Sequence, residues 1–331
     1  MPGPAATLQD AGRRGYLRYG VSEAGPMDWI AHGRANMLAG NAEGAAAIEV
    51  GLGGIELEAE GGVAFIGYAG GAFAVTLNGQ SLPPAGRIRL GADDRLAVQA
   101  GATGAWVYLS PAGGFDLVPV MGSLSTSLRS GIGGLNGGVL AAGDRLALAG
   151  SPALEELGFE EMMPPRANPI RVLPGPQDDY FSAEGIRNFF TAGYRIAPRS
   201  DRMGYRLEGP LVEHARGFNI VSDGIALGAI QIPGDGKPII LMADHQSTGG
   251  YPKLGHVIRA DIGRLAQCRA GDAVRFEAVG IEIARAELFA ALRKVRASLT
   301  EAFPLGGSDL SSEFLLSQNL ISGAKSAADE A

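Results

Sequence analysis

The sequence predicts a mainly β protein of two tandem β-barrels, with a few short helices and a helical C-terminal segment. Three observations lead there. Between residues 46 and 109, apolar side chains recur at every second position in short runs broken by turn residues, the period of half-buried strands. The 331-residue chain holds 51 glycines without the Gly-X-Y period of collagen, and its 46% hydrophobic content can fill a core. The same style, one early helix and then many short strands, recurs after residue 170.

Residues 1–25 are Gly-rich and polar and read as an extended lead-in. Residues 28–39 place Trp29, Ile30, Met37 and Leu38 at helical spacing, with Asp28 as cap and Gly40-Asn41 as stop. Strands follow at 48–50, 55–59, 63–65, 73–77, 88–90, 96–98 and 106–108, and Asn78-Gly79 is a hairpin-turn signal. Such short, regular spacing suits a closed or nearly closed barrel. Residues 110–150 hold Gly-rich loops around GSLSTSLR and close on AAGDRLALA, a turn and then a strand. Residues 151–169 contain four prolines and a cluster of acids, and read as a linker between an N-terminal domain (1–150) and a C-terminal one (170–282). In the latter, 171–173 is a strand and 182–190 a short helix. MGYRLEG, FNIVS, GAIQIP, PIILMAD, HVIRADI and AVRFEAV read as further strands. Within 283–331, Ile283, Leu288, Phe289, Leu292, Val295 and Leu299 form a helical stripe, followed by a Ser-, Gly- and Ala-rich tail expected to dock loosely.

Bulk properties exclude several classes. With 28 basic and 35 acidic residues the net charge is -7, which disfavours a general nucleic-acid binder. The single cysteine, Cys268, rules out an intramolecular disulfide and fits a reducing compartment. The N-terminus lacks a signal-peptide core, and no apolar run is long enough to span a bilayer. The expectation is a cytoplasmic protein with neither nucleic acid nor membrane as partner. His32, His214, His245 and His256 form no HxH or HExxH pair, so no metal site is expected. His256 reads as a satisfied strand residue and Cys268 as a buried one. None of Lys237, Lys253, Lys294 and Lys325 lies in a biotin-attachment pattern.

Four stretches carry candidate chemistry. Asp244-His245-Gln246-Ser247-Thr248-Gly249-Gly250-Tyr251 follows an apolar strand, so that strand would fix polar groups while the glycines admit a ligand to the backbone. Asp244 and His245 can exchange protons, and Gln246 and Thr248 can orient an amide; the alternative is a tight turn bonded to itself. Arg202, next to Met203, can pair a carboxylate or phosphate, or simply a neighbouring acid. Met27-Asp28 opens the first helix, where an anion or merely the Asp28 cap would sit. Ser123, Ser125 and Arg129 lie in a loop with the composition of a phosphate cradle but without a P-loop ending, so an ordinary surface loop competes with that reading.

Taken in order, TLQDAGRRGYLRYGVSEAGPMD, RANMLAGN, AAIEV, GSLSTSLRSGIGGLNGGVLAAGDRL, SDRMGYRLEGP and GAIQIPGDGKPIILMADHQSTGGYPKLGHVIRADIGRLAQCRAGDAVRFE resemble the family of 5-oxoprolinase C subunits over residues 7–280. That family is also described as biotin-dependent carboxyltransferase, allophanate hydrolase subunit 2 or urea amidolyase-related. The chain departs from it at Leu124, where arginine is frequent, at Ser247, where threonine is common, and at His245, where arginine is common. The resemblance implies two cyclophilin-like barrels and a partner, the B subunit (allophanate hydrolase subunit 1-like), joined by an A subunit. It implies ATP-dependent opening of the 5-oxoproline lactam to glutamate, ATP being used within the complex. Two alternatives come with it: carboxyl transfer to urea or a related amide from carboxybiotin held by a separate protein, and a non-catalytic regulator that binds a kinase-inhibitor-like partner. On the first reading Asp244, His245 and Arg202 are the catalytic residues. Gln246, Thr248 and Tyr251 then orient the ring, Met27 and Met203 wall it, Gly249, Gly250 and Asp28 also bind the substrate, and Ser123, Ser125 and Arg129 face its carboxylate or phosphate end.

Overall fold

A computed structural model describes residues 6–160 and 169–305. The architecture is mainly β, as the alternation predicts. The first half folds as two facing sheets. The larger is ordered Thr7–Gln9, Ala47–Val50, Val107–Pro111, Ala64–Gly70, Ala85–Leu90, Leu157–Phe159, Phe303–Pro304; the smaller is Ile55–Glu58, Arg95–Gln99, Ala74–Leu77, Gln80–Ser81. Leu8, Ile48, Ile66 and Val107 of one sheet and Val75, Leu96 and Val98 of the other bury together between them. The predicted hairpin forms where Asn78 (φ 51°) and Gly79 (φ 81°) turn the chain, the double positive φ that a tight two-residue turn needs.

The second half is built on an eight-stranded sheet that closes on itself, with a separate two-stranded ribbon beside it. Its order is Ala273–Val274, Tyr194–Ile196, Gly204–Glu208, Ile239–Leu241, Ala229–Gln231, Lys253–Val257, Ile170–Pro174, Phe276–Ala278. The two edge strands are neighbours in the chain, separated by Arg275 alone, so the segment 273–278 seals both edges of the barrel. This removes the unpaired backbone that an open sheet would expose.

Four helices pack on these sheets among the described residues. Helix α1 (Trp29–Leu38) is capped by Asp28, whose Oδ1 accepts from the backbone of Ile30 and Ala31 at 3.1 Å each. It crosses the strand Ala64–Gly70 at Gly67, where a Cβ would lie 2.3 Å from the Ala35 carbonyl oxygen. Helix α2 (Ala183–Thr191) is capped by Ser182. Helix α3 (Arg259–Ala266) and helix α4 (Ile281–Ala297) pack against α1. One apolar cluster joins α1 (Ala31, Ala35, Leu38) to Ile196, Tyr205, Met242 and Leu265 of the second half, so the two halves share a core. No helix among the described residues is long and apolar enough to cross a membrane.

The structure corrects several local expectations. Residues 141–149 contribute only an isolated bridge, Phe115 to Leu148, rather than a strand. FNIVS is not a strand. HVIRADI is a strand end followed by α3, whose start at Arg259 has no side-chain cap to announce it. Inside the stretch expected to be a linker, Leu157–Phe159 pairs with Ala85–Leu90, because Leu157 and Phe159 bury against the first sheet. The C-terminal helix forms as expected, but Ile283 and Phe289 of its stripe are exposed; Val295 carries the contact, lying 2.8 Å from where a Cβ of Gly33 would be. The chain then returns as Phe303–Pro304 to pair with Leu157–Gly158. The Ser-, Gly- and Ala-rich tail beyond residue 305 lies outside the described residues.

Candidate functional site

The predicted residues separate into three groups in space. The first is a buried polar network where the halves meet. The Arg202 guanidinium grips Asp244 bidentately, Nε to Oδ2 at 2.9 Å and Nη2 to Oδ1 at 2.8 Å. It also donates to the Gly25 carbonyl at 2.8 Å and pairs with Glu49 through Nη1. The other Glu49 oxygen accepts from the Tyr108 hydroxyl at 2.7 Å and from Met27 N at 2.8 Å, and Asp28 N donates to Tyr108 Oη at 2.8 Å. The chain of contacts ends on Gln267, which donates to Asp28 Oδ2 at 2.9 Å and accepts from the backbone of Ala105 and Trp106. Burial opposes the charge on Arg202, yet Asp244 and Glu49 hold it firmly protonated; burial raises the Glu49 carboxyl above its ordinary value despite Arg202. Arg202, Asp244, Met27 and Asp28 are thus brought together, with their polar atoms turned on one another. Glu49, Tyr108 and Gln267 complete the set and escaped the sequence reading. The available signal was a glutamate inside an otherwise apolar strand, AIEV.

The second group is the Gly-Ser loop. Ser123 and Ser125 hydroxyls donate to Asp10 Oδ1 at 2.6 and 2.7 Å, and Leu124 N donates to Oδ2 at 2.6 Å. Burial opposes ionisation of Asp10, but these donors and Gly12 N hold its carboxyl below the ordinary range. The loop therefore wraps a carboxylate of the chain itself, on which these three donors are engaged. Arg129 is exposed on the same Gly-rich stretch.

The third group lines a pocket of about 450 Å³ between the halves, within the usual range for small-molecule sites. Ser247 and Thr248 line it, with Asp223, Lys253, His256 and, from the first half, Arg18. Residues 244–248 lead into it: Asp244 is buried, His245 donates through Nδ1 to the Gln246 carbonyl at 2.7 Å, and Thr248–Gly249 pairs with Asp223–Gly224 as a two-stranded ribbon. Gly249 allows that ribbon to sit close; a Cβ there would lie 2.7 Å from Gln231 Nε2, a buried donor with no partner among the described residues. Gln246, Gly250 and Tyr251 do not line the pocket, nor does Met203, whose amide donates to Asp201 Oδ1 at 2.8 Å.

Lys253 and His256 sit three residues apart on one strand and would ordinarily face opposite sides. A register shift opposite Ile230/Gln231 resets the alternation: Lys253 pairs with Gln231 and His256 with Ala229, so all four share a face. The Lys253 side chain is only 2% exposed, and its Nζ donates to Asp223 Oδ2 at 2.7 Å. An ammonium has three donors, which leaves two for a ligand. The His256 imidazole is held below its usual value of 6.5, first by burial and then by the Lys253 charge, despite a hydrogen bond with the Gly175 backbone. It is therefore neutral at pH 7 and able to accept a proton. Sequence reasoning missed this trio because an isolated lysine and histidine in a strand carry no motif; the register shift that joins them is a property of the neighbouring strand. No group of three or more metal-ligating side chains occurs among the described residues.

The pocket thus gathers a buried lysine, a histidine and the hydroxyl-bearing residues Ser247 and Thr248, groups able to donate and accept hydrogen bonds. Residues 19–278 match the carboxyltransferase domain, subdomains A and B, and the chain belongs to that family. Within it, the chain is similar to the C subunit of 5-oxoprolinase from Haemophilus influenzae, 39% identical over 84% of this chain and 89% of that one. It is also similar to the corresponding 5-oxoprolinase C subunit of Escherichia coli, 37% identical over 85% and 90%. A crystal structure of the K. lactis urea amidolyase superposes with a TM-score of 0.81 at 30% identity, covering 94% of this chain but 20% of that one.

Proposed function

We propose that the chain is the C subunit of an ATP-dependent 5-oxoprolinase, working with its B and A subunits to open 5-oxoproline to glutamate. The observation that carries the chemistry is the Lys253 ammonium, buried in a pocket with two donors to spare and a neutral His256 on the same face. Opening a lactam places negative charge on the amide oxygen. Lys253, with the Ser247 and Thr248 hydroxyls, stabilises that oxygen through donors fixed in advance. His256 takes the proton from the attacking water and returns it to the leaving nitrogen. Arg202, Asp244 and Glu49 act one layer back, setting the start of the segment that delivers Ser247 and Thr248. ATP binds elsewhere in the assembly in this reading, since the Gly-Ser loop spends its donors on Asp10.

Similarity to 5-oxoprolinase subunits over nearly their whole length supports this choice of substrate. The likeness to urea amidolyase favours one second reading, in which the pocket would hold urea, His256 would take a proton from its nitrogen, and carboxybiotin on a separate carrier would supply the carboxyl group and leave as biotin. The deciding experiment co-purifies the chain with the products of neighbouring genes and assays 5-oxoproline and urea, with and without ATP and avidin. ATP-dependent glutamate formation insensitive to avidin is expected. Lys253→Met should lower kcat about 100-fold or more. Because the neutral imidazole is the working form, activity should persist below pH 6.5 and fall as His256 becomes protonated. An unchanged acid limb in His256→Gln would remove that residue from the mechanism.

A further inference from the structure

Resting on the amide-handling role of Lys253, we infer that Arg18 and Asp223 sort the two ends of the substrate. A carboxylate-bearing amide enters with its carboxylate at Arg18 and its amide at Lys253. Both cations line the same pocket but differ in how they are paired. Lys253 already holds the Asp223 carboxylate at 2.7 Å. A second anion approaching Nζ would meet that carboxylate at close range, where like charges repel. A neutral carbonyl oxygen meets no such penalty and can use the two remaining donors. Asp223 thus reserves the Lys253 end for an uncharged group.

Arg18 has the opposite character. It lies in the single turn Leu17–Tyr19, closed by Gly20 at φ 79° with its N–H on the Leu17 carbonyl at 2.9 Å. The guanidinium stands 4.8 Å from the Tyr19 ring centroid, a contact that orients the fork without neutralising it. No acidic side chain among the described residues forms an ion pair with it, so its planar donors are available for a carboxylate. Attraction at one end and exclusion at the other together fix orientation. Arg18 belongs to the first half and Lys253 and Asp223 to the second, so the sorting exists only where the halves meet.

The test compares 5-oxoproline with 2-pyrrolidinone, the same lactam without its carboxylate, by calorimetric binding to the reconstituted assembly. Arg18→Ala should weaken 5-oxoproline about 10- to 100-fold and leave 2-pyrrolidinone unchanged, with partial recovery in Arg18→Lys. Asp223→Asn should admit an anion at Lys253 and tighten glutarate, a dicarboxylate, about tenfold. Equal losses for both lactams in Arg18→Ala, or none, overturn the inference, as does unchanged glutarate binding in Asp223→Asn. If the unaltered protein binds neither lactam, the amide-handling role itself falls, an outcome separate from the failure of Arg18 alone.

Discussion

Arg202 shows how a residue chosen for chemistry can carry architecture as well. An arginine beside polar residues in SDRMGYR suggested a substrate anion, yet the anions it meets are Asp244 and Glu49 of the chain itself. The composition could supply the arginine but not its partners, because Glu49 lies far away in sequence, in the other half. Lys253 shows the converse: nothing local distinguishes it, yet the fold buries it beside His256 at the edge of a pocket. Removing Arg202 leaves two carboxylates buried without a counter-charge. Arg202→Met should therefore cost about 3–5 kcal/mol in urea unfolding. A loss near zero would mean that the network is hydrated and that Arg202 is free to meet substrate.

At the scale of elements, periodicity and caps were the reliable signals. The helix opened by Asp28 and the one opened by Ser182 form where their caps stand, and the Asn78-Gly79 hairpin forms as read. Helix α3 stands where the residue pattern predicts strand, because its eight residues are few, carry no cap and follow directly on an apolar strand. The strand Leu157–Phe159 was hidden among prolines and acids and becomes a strand only because the first sheet offers an edge. Close approach of elements is equally silent in a composition of 51 glycines. Gly67 is one place where it matters, since α1 rests on the strand at that point and backbone atoms would surround a Cβ. Gly67→Ala should lower stability by about 3 kcal/mol or more, read from the denaturant midpoint, because neither element can retreat without disturbing a core. The same change at Gly61 meets nothing within 4 Å and serves as the comparison, though its φ of 77° carries a smaller strain of its own.

At the scale of the molecule, the halves are joined by more than a linker. The core around α1 runs into the second barrel, the Arg202 network crosses the boundary, and the C-terminal strand returns to the first sheet. Calorimetric unfolding of the whole chain should accordingly give one transition with equal calorimetric and van't Hoff enthalpies. Two resolved transitions would show that the halves unfold independently. The amino-acid sequence by itself determined the class, the strand-rich plan, the main helices and the family, since these follow from periodicity, turn chemistry and ordered motifs that are local in the chain. The tertiary structure alone decided which charges meet. It turned Arg202 and Asp244 towards Glu49, closed the Gly-Ser loop on Asp10, and placed Lys253, His256 and Arg18 around one pocket. The physical reason is that electrostatic partnership depends on distance and burial, and both are set by strand register and by the meeting of two halves remote in sequence.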